Sequence, residues 1–223
     1  MTDFNTLIFD LDGTLIDSAP GIINCMRHTL TAMKFDIPSD FNRFLGPPLH
    51  NSFAEFFGMN ENQVNEAVKI FRERYKEKGL FENVVYDGIP EMLRRLKNAD
   101  KKLLIATSKP EVFAVKIMEN HQLAEYFDII GGADINGSRN EKNEIIEYVL
   151  KQTNITELSR VLMIGDRSHD IIGAKKCGLS SMGVLWGYGN REEFLQHGAD
   201  IIVNTPQETA DVIINPSAYC TLT

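Results

Sequence analysis

Thr6-Leu7-Ile8-Phe9-Asp10-Leu11-Asp12-Gly13-Thr14 sets two carboxylates and a glycine directly behind a short apolar run. Such a run, bounded by turn residues, reads as a buried β-strand. The pleat sends alternate side chains to one face, so Asp10 and Asp12 point into one site if strand geometry continues through Leu11. Gly13 lets the chain turn away, and the Thr14 hydroxyl can tie the loop. A single aspartate at a strand end is commonly a turn former. Two buried carboxylates this close repel each other and raise a pKa unless a cation or donors compensate. That arrangement suits phosphoryl chemistry, which asks for one ionised carboxylate as nucleophile, a second acid as proton donor, and a metal to neutralise the phosphate.

Further β-like runs follow at 103–106, 127–130, 161–164, 182–185 and 201–203, joining the first at 7–9, with helical stretches between most of them. The alternation predicts an α/β layer with a mainly parallel sheet, whose ligands bind at the carboxyl ends of the strands. One segment breaks it. Residues 16–84 read as helices throughout, with Ile22, Ile23, Met26, Leu30 and Met33 at helical spacing, as are Val64, Ala67, Val68 and Phe71. The segment is too long for a loop.

Three downstream stretches carry chemistry of their own. Thr107-Ser108-Lys109-Pro110 ends an apolar strand and leads into a helix predicted to begin near Pro110, a place where a hydroxyl and backbone N–H groups can hold an anion or simply cap the helix. Lys142 precedes the amphipathic run Ile145, Ile146, Val149, Leu150, and a cation there works against the helix dipole. Lys109, beside the Thr107-Ser108 pair, is its rival for a phosphate-neutralising role. Gly165-Asp166-Arg167-Ser168-His169-Asp170 follows another apolar strand and enters a helix. Carboxylates there suit a hard dication, since Mg2+ takes oxygen ligands, usually one or two carboxylates plus water and substrate phosphate.

Taken together, D-x-D-G-T at Asp10, Thr107-Ser108, Lys142 and G-D-x-x-x-D at Asp166 and Asp170 resemble, in order and content, the four motifs of the haloacid dehalogenase superfamily. Asp10-Leu11-Asp12-Gly13-Thr14-Leu15-Ile16-Asp17-Ser18, the turn Gly46-Pro47-Pro48-Leu49, and Gly137-Ser138-Arg139 before Lys142 are similar to its phosphoglycolate phosphatase-like group, including 5′-nucleotidase-like relatives. The resemblance implies a doubly wound, mainly parallel α/β core of the Rossmann-like type at 1–15 and 85–223, with an inserted helical cap at 16–84 that chooses the leaving group. It also implies a Mg2+-dependent phosphatase acting on a small phosphomonoester, phosphoglycolate-like or nucleoside-monophosphate-like, through an aspartyl phosphate. Asp10 is then nucleophile and Asp12 acid and base; Lys142, Thr107 and Ser108 bind phosphate. Asp10, the Asp12 backbone carbonyl and Asp166 hold the metal, and Asp170 supports them from behind. Arg43, in the cap, is a candidate for a second anionic group on the substrate.

Composition agrees. The formal charge of -8, with no basic face, argues against a nucleic-acid polymer as partner. Cys25, Cys177 and Cys220 are scattered, which predicts a reducing, cytoplasmic setting. No apolar span reaches the roughly 18 residues of a membrane helix. Oligomeric state is not legible. Among rivals, a sugar phosphomutase of the same superfamily shares every motif, and a non-catalytic phospho-ligand-binding protein would be expected to lack one. A dehalogenase has no need of Asp12, and a receiver domain has no helical insertion.

Overall fold

Thr6, Leu7, Ile8 and Phe9 are all buried and form β1, the strand from which the sheet extends to both sides. The computed structural model describes residues 3–41, 44–45, 49–134 and 139–215. In chain order the elements are β1 (Thr6–Phe9), β2 (Ile16–Asp17), α1 (Ala19–Ala32), α2 (Leu49–Phe57), α3 (Glu61–Glu77), β3 (Val84–Val85), α4 (Ile89–Asn98), β4 (Lys102–Pro110), α5 (Glu111–Asn120) and β5 (Ile129–Ala133). They continue with α6 (Lys142–Gln152), β6 (Val161–Gly165), α7 (Ser168–Lys176), β7 (Ser180–Val184), α8 (Arg191–His197), β8 (Ile201–Val203) and α9 (Pro206–Ile214). Residues 1–16 with 85–223 make one unit, and residues 17–84 the other. No helix among the described residues is long and apolar enough to cross a membrane.

The larger unit is a six-stranded parallel sheet in the order β5-β4-β1-β6-β7-β8. Counted in chain order within the sheet, this is the doubly wound order 3-2-1-4-5-6, whose reversal lies between β1 and β6. Phe9 stands level with Ile105 of β4 on one side and Ile164 of β6 on the other. The next residues, Asp10, Ala106 and Gly165, therefore stand level toward the carboxyl edge of the sheet, Asp10 just past β1 and the other two still within β4 and β6.

Both faces of β1 are covered, which is why it reads as an unbroken apolar run. Ile8, Leu104 and Met163 join Ile145, Ile146 and Val149 of α6 and Ala174 of α7 in one core cluster. The alternate residue Phe9 meets the Phe127 ring edge-on, with centroids 6.1 Å apart. α5 also packs on β4 and β5 without entering the first cluster.

Two strands differ from the sequence expectation. β5 spans Ile129–Ala133 rather than 127–130, and it carries Gly131 and Gly132, residues that read as strand breakers. Gly131 is required by close packing, since a Cβ there would lie 2.2 Å from Val149 Cγ1 of α6. β4 runs on to Pro110, but its pairing with β5 jumps from Thr107↔Gly132 to Pro110↔Ala133. Ser108 and Lys109 are thus extra residues in a bulge, which re-aims side chains at a strand end.

The smaller unit is helical, as the insertion's spacing indicates, and at its two boundaries β2 pairs with β3 where the expectation was helix from residue 16 to 84. Val64, Ala67, Val68 and Phe71 are buried along α3 as expected. On α1 the buried stripe is Gly21, Cys25, Met26, Thr29 and Leu30, displaced from the Ile22-Ile23 line that hydrophobicity alone suggested. The cause is Gly21, which packs so closely on the turn at Gly79 that a Cβ would fall 2.3 Å from the Gly79 carbonyl oxygen. α3 starts with a reciprocal cap between Asn60 and Gln63. Phe53 is fully enclosed, and the Phe44 and Phe57 rings stack with centroids 5.3 Å apart.

Ile8→Ala will cost about 2–5 kcal/mol in urea denaturation, the range for truncating an enclosed aliphatic side chain. Val84→Ala, at a position 61% exposed, will change stability by no more than about 0.5 kcal/mol. Equal losses would contradict this placement of the core.

Candidate active site

At the first position of α6, Lys142 is presented to the sheet's carboxyl edge by a helix start that Glu144 holds in place. Glu144 Oε2 accepts from the backbone N–H groups of Asn140 and Glu141 at 2.9 and 3.0 Å, satisfying donors that a helix start leaves unpaired. Lys142 Nζ lies 2.8 Å from Asp10 Oδ1 and donates to the Ala106 carbonyl at 3.1 Å. It also forms an ion pair with Asp170 Oδ1 at 2.8 Å. One ammonium thus joins the end of β1 and the backbone of β4 to α7.

Asp166 follows β6 directly and is wholly enclosed. Its Oδ1 accepts from the Thr14 hydroxyl at 3.2 Å and its Oδ2 from the Tyr188 backbone N–H at 2.8 Å. Asp170, in the first turn of α7, accepts from the Arg167 backbone N–H through Oδ2 at 3.1 Å. The same helix start is held by Glu193, which accepts from the Ser168 N–H at 2.6 Å and from the Arg167 guanidinium.

Carboxylate oxygens of Asp10, Asp166 and Asp170 all lie within 4.8 Å of one another. Three buried acids face one lysine, and their electrostatics show the shortfall. Burial, with the charge of Asp170, raises the Asp10 carboxyl to about 6 although Lys142 pulls it down. Burial and the charges of Asp170 and Asp10 push Asp166 well above the ordinary carboxylate range against the Tyr188 N–H. Burial pulls Lys142 toward deprotonation, but Asp10 and Asp170 outweigh it and hold the ammonium charged. An all-oxygen, charge-deficient cluster of this kind fits a hard divalent cation such as Mg2+.

Asp12 sits two residues beyond Asp10, partly exposed, with Oδ2 in a 2.8 Å ion pair with Lys109 Nζ. Its Oδ1 has no hydrogen-bond partner among the described residues. Thr107 is buried one residue beyond Ala106, the carbonyl that Lys142 binds, and its hydroxyl accepts from the Lys109 N–H at 3.3 Å. Ser108 is exposed in the bulge. Arg43, Gly46, Pro47, Pro48, Gly137 and Ser138 lie outside the described residues.

The two lysines that compete in the sequence are therefore both engaged: Lys142 takes Asp10 and Asp170, and Lys109 takes Asp12. The bulge in β4 that brings Lys109 there leaves no apolar signature. Also unassigned from sequence was the loop Trp186-Gly187-Tyr188-Gly189, which supplies the Asp166 contact. Its signal in the sequence is two aromatics interleaved with two glycines close behind a strand, a pattern equally suited to a rim over the site and to plain edge packing.

Comparison with known proteins is consistent across sequence and structure. The family model described as haloacid dehalogenase-like hydrolase matches residues 7–184. A 5′-nucleotidase from Pseudomonas aeruginosa is 38% identical, over 87% of this chain and 88% of its own length. Tyrosine-protein kinase PtkA from Mycobacterium tuberculosis is 36% identical, over 88% of this chain and 67% of its own. The crystal structure of a predicted phosphatase from Clostridium acetobutylicum is similar with a TM-score of 0.87 and 41% identity, covering 96% of this chain and 99% of that one.

Lys142→Met will destabilise the metal-free protein by about 3–5 kcal/mol near neutral pH, because it strands two buried carboxylates. The loss will shrink at about pH 5, where Asp10 can take up a proton instead. Urea denaturation at both values checks this; an undiminished stability near neutrality would mean that the bridge contributes nothing.

Proposed function

We propose, from the premise that this chain belongs to the haloacid dehalogenase-like hydrolase family and is one of its phosphatases, that it hydrolyses small phosphomonoesters through an aspartyl phosphate on Asp10. Nucleoside monophosphates are the leading substrate class, in line with the relative named 5′-nucleotidase, and phosphoglycolate-like esters come next. The observation that carries the reading is the Lys142 bridge between Asp10 and Asp170 at the point where the sheet order reverses.

The chemistry follows from these groups. Lys142 holds Asp10 ionised against its burial and turns it through Oδ1, leaving Oδ2 to attack phosphorus. As the Asp10–phosphorus bond forms, the bond to the ester oxygen breaks, and Asp12 gives that oxygen a proton. Asp12 then takes a proton from water, whose oxygen attacks the same phosphorus and releases Asp10 and inorganic phosphate. The Thr107 hydroxyl, the Ser108 N–H and the Lys142 ammonium bind the phosphoryl oxygens, where charge stabilisation matters most. Asp10, the Asp12 backbone carbonyl and Asp166 would hold Mg2+, with Asp170 fixing Lys142 beside them. When bound, that ion supplies positive charge that offsets the acids and the phosphate.

The helical unit, residues 17–84, is on this reading the substrate-selecting insertion, with Arg43 its candidate contact to a second anionic group. Cys25 and Cys177 are both free thiols, in keeping with a reducing, cytoplasmic setting.

Asp10→Asn will lower Mg2+-dependent phosphate release from an aryl phosphate by on the order of 10^3-fold or more while the protein stays folded by circular dichroism; retained turnover would defeat the nucleophile assignment. A panel of nucleoside monophosphates, phosphoglycolate and sugar phosphates, scored for free phosphate, separates hydrolysis from isomerisation and from transfer to a tyrosine hydroxyl. Nucleoside monophosphates are expected to give the highest kcat/KM.

Mg2+ will also act on stability in a pH-dependent way. Because burial raises the Asp10 carboxyl from its ordinary value of 3.8 to about 6, the folded state holds more protons between those values and loses stability as pH rises through them. Saturating Mg2+ will therefore raise Tm more at about pH 7.5 than at about pH 5. An increment that is flat with pH would remove the carboxylate cluster as the binding site.

A further inference from the structure

The loop Trp186 to Gly189, on the carboxyl side of β7, has no part in the chemistry derived above, yet its contacts converge on one carboxylate. We infer that this loop is a strap, buckled by Trp186, that fixes the orientation of Asp166 and so sets the affinity of the site for its divalent cation. The inference rests on the metal-dependent reading above.

Trp186 Nε1, a donor and never an acceptor, bonds the Thr14 carbonyl at 2.9 Å. Thr14 in turn places its hydroxyl 3.2 Å from Asp166 Oδ1. Two residues past Trp186, the Tyr188 N–H reaches Asp166 Oδ2 at 2.8 Å. Each carboxylate oxygen thus receives one donor, one from the loop behind β1 and one from the strap, and the indole ties those two loops together.

The fit is close enough to exclude side chains. A Cβ at Gly187 would lie 2.3 Å from the Gly13 carbonyl oxygen and 2.4 Å from Asp166 Cβ, and one at Gly189 would lie 2.0 Å from the Asp166 carbonyl oxygen. On the other side, a Cβ at Gly13 would fall 2.2 Å from Asp166 Oδ2, and Gly13 has φ +84°, a conformation that glycine adopts readily. Backbone therefore packs against Asp166 from two loops. A carboxylate offers about four lone-pair sites; two are used by these donors, and the rest are held in fixed directions for a cation. Partners behind a metal ligand commonly govern affinity by 10- to 100-fold.

The test is Mg2+ binding to metal-stripped protein by isothermal titration calorimetry, with metal-free circular dichroism and Tm recorded for each variant. Trp186→Phe keeps the aromatic bulk and removes the N–H; Thr14→Val keeps the shape and removes the hydroxyl; Thr14→Ser restores it. The expected result is a Kd raised about 10-fold or more in the first two and within about threefold of the unsubstituted protein in Thr14→Ser. Should Trp186→Phe fail to fold, the Thr14 pair decides alone. Unchanged Kd values in the variants, beside clear binding by the unsubstituted protein, would overturn the strap and leave the proposed function standing. No Mg2+ binding by the unsubstituted protein would overturn both.

Discussion

A single ammonium group, Lys142 Nζ, makes the carboxyl edge of this sheet tenable. Placing Asp10 and Asp170 out of water costs several kcal/mol per charge unless a partner is supplied in good geometry. Lys142 meets one oxygen of each at 2.8 Å and spends a further hydrogen on the Ala106 carbonyl. Even so, one cation beside three acids leaves a deficit, and that deficit connects folding to function. A cluster satisfied by protein groups alone would have no affinity for a cation or a phosphate to spare. Here burial leaves Asp10 and Asp166 with raised carboxyl pKa values, so a divalent ion would relieve a strain in the charge balance that the fold itself creates.

The sheet order explains why those groups meet. In a doubly wound sheet, chain connections leave in opposite directions at the strand-order reversal, so a crevice opens at the carboxyl ends there. Asp10 follows β1 and Asp166 follows β6, the two strands at that reversal. Lys142 and Asp170 enter from the first turns of α6 and α7, which cover the same face of the sheet. The candidate site is therefore built from helix starts and strand ends, elements whose directions are fixed by the core beneath them.

That origin also explains what the sequence disclosed. Strand ends behind apolar runs are legible because the core must be apolar and the site polar, and the boundary between them shows in the chain at Phe9-Asp10 and Gly165-Asp166. Lys142 was legible because a cation at a helix start is mildly unfavourable on its own. The pairing of Lys109 with Asp12 was not, because it depends on a two-residue register jump between β4 and β5 that no periodicity encodes. β5 was misplaced for a related reason. Its glycines report a neighbouring helix, not a turn, and one sequence does not distinguish the two.

Glycine carries the same double meaning at the site. Gly13, Gly187 and Gly189 read locally as turn residues, and at Gly13 the backbone does turn through positive φ. Their shared role appears only in three dimensions, where each leaves room that Asp166 occupies. The acids of this site are thus held by two different means. Asp10 is held by the charge of Lys142, which a proton or another cation can rearrange, and Asp170 by that charge together with the Arg167 N–H. Asp166 is held by backbone packing and neutral donors, which neither can. On the proposed reading the first kind of hold lies near the reacting atoms, and the second at a cation ligand that has to remain in place between turnovers.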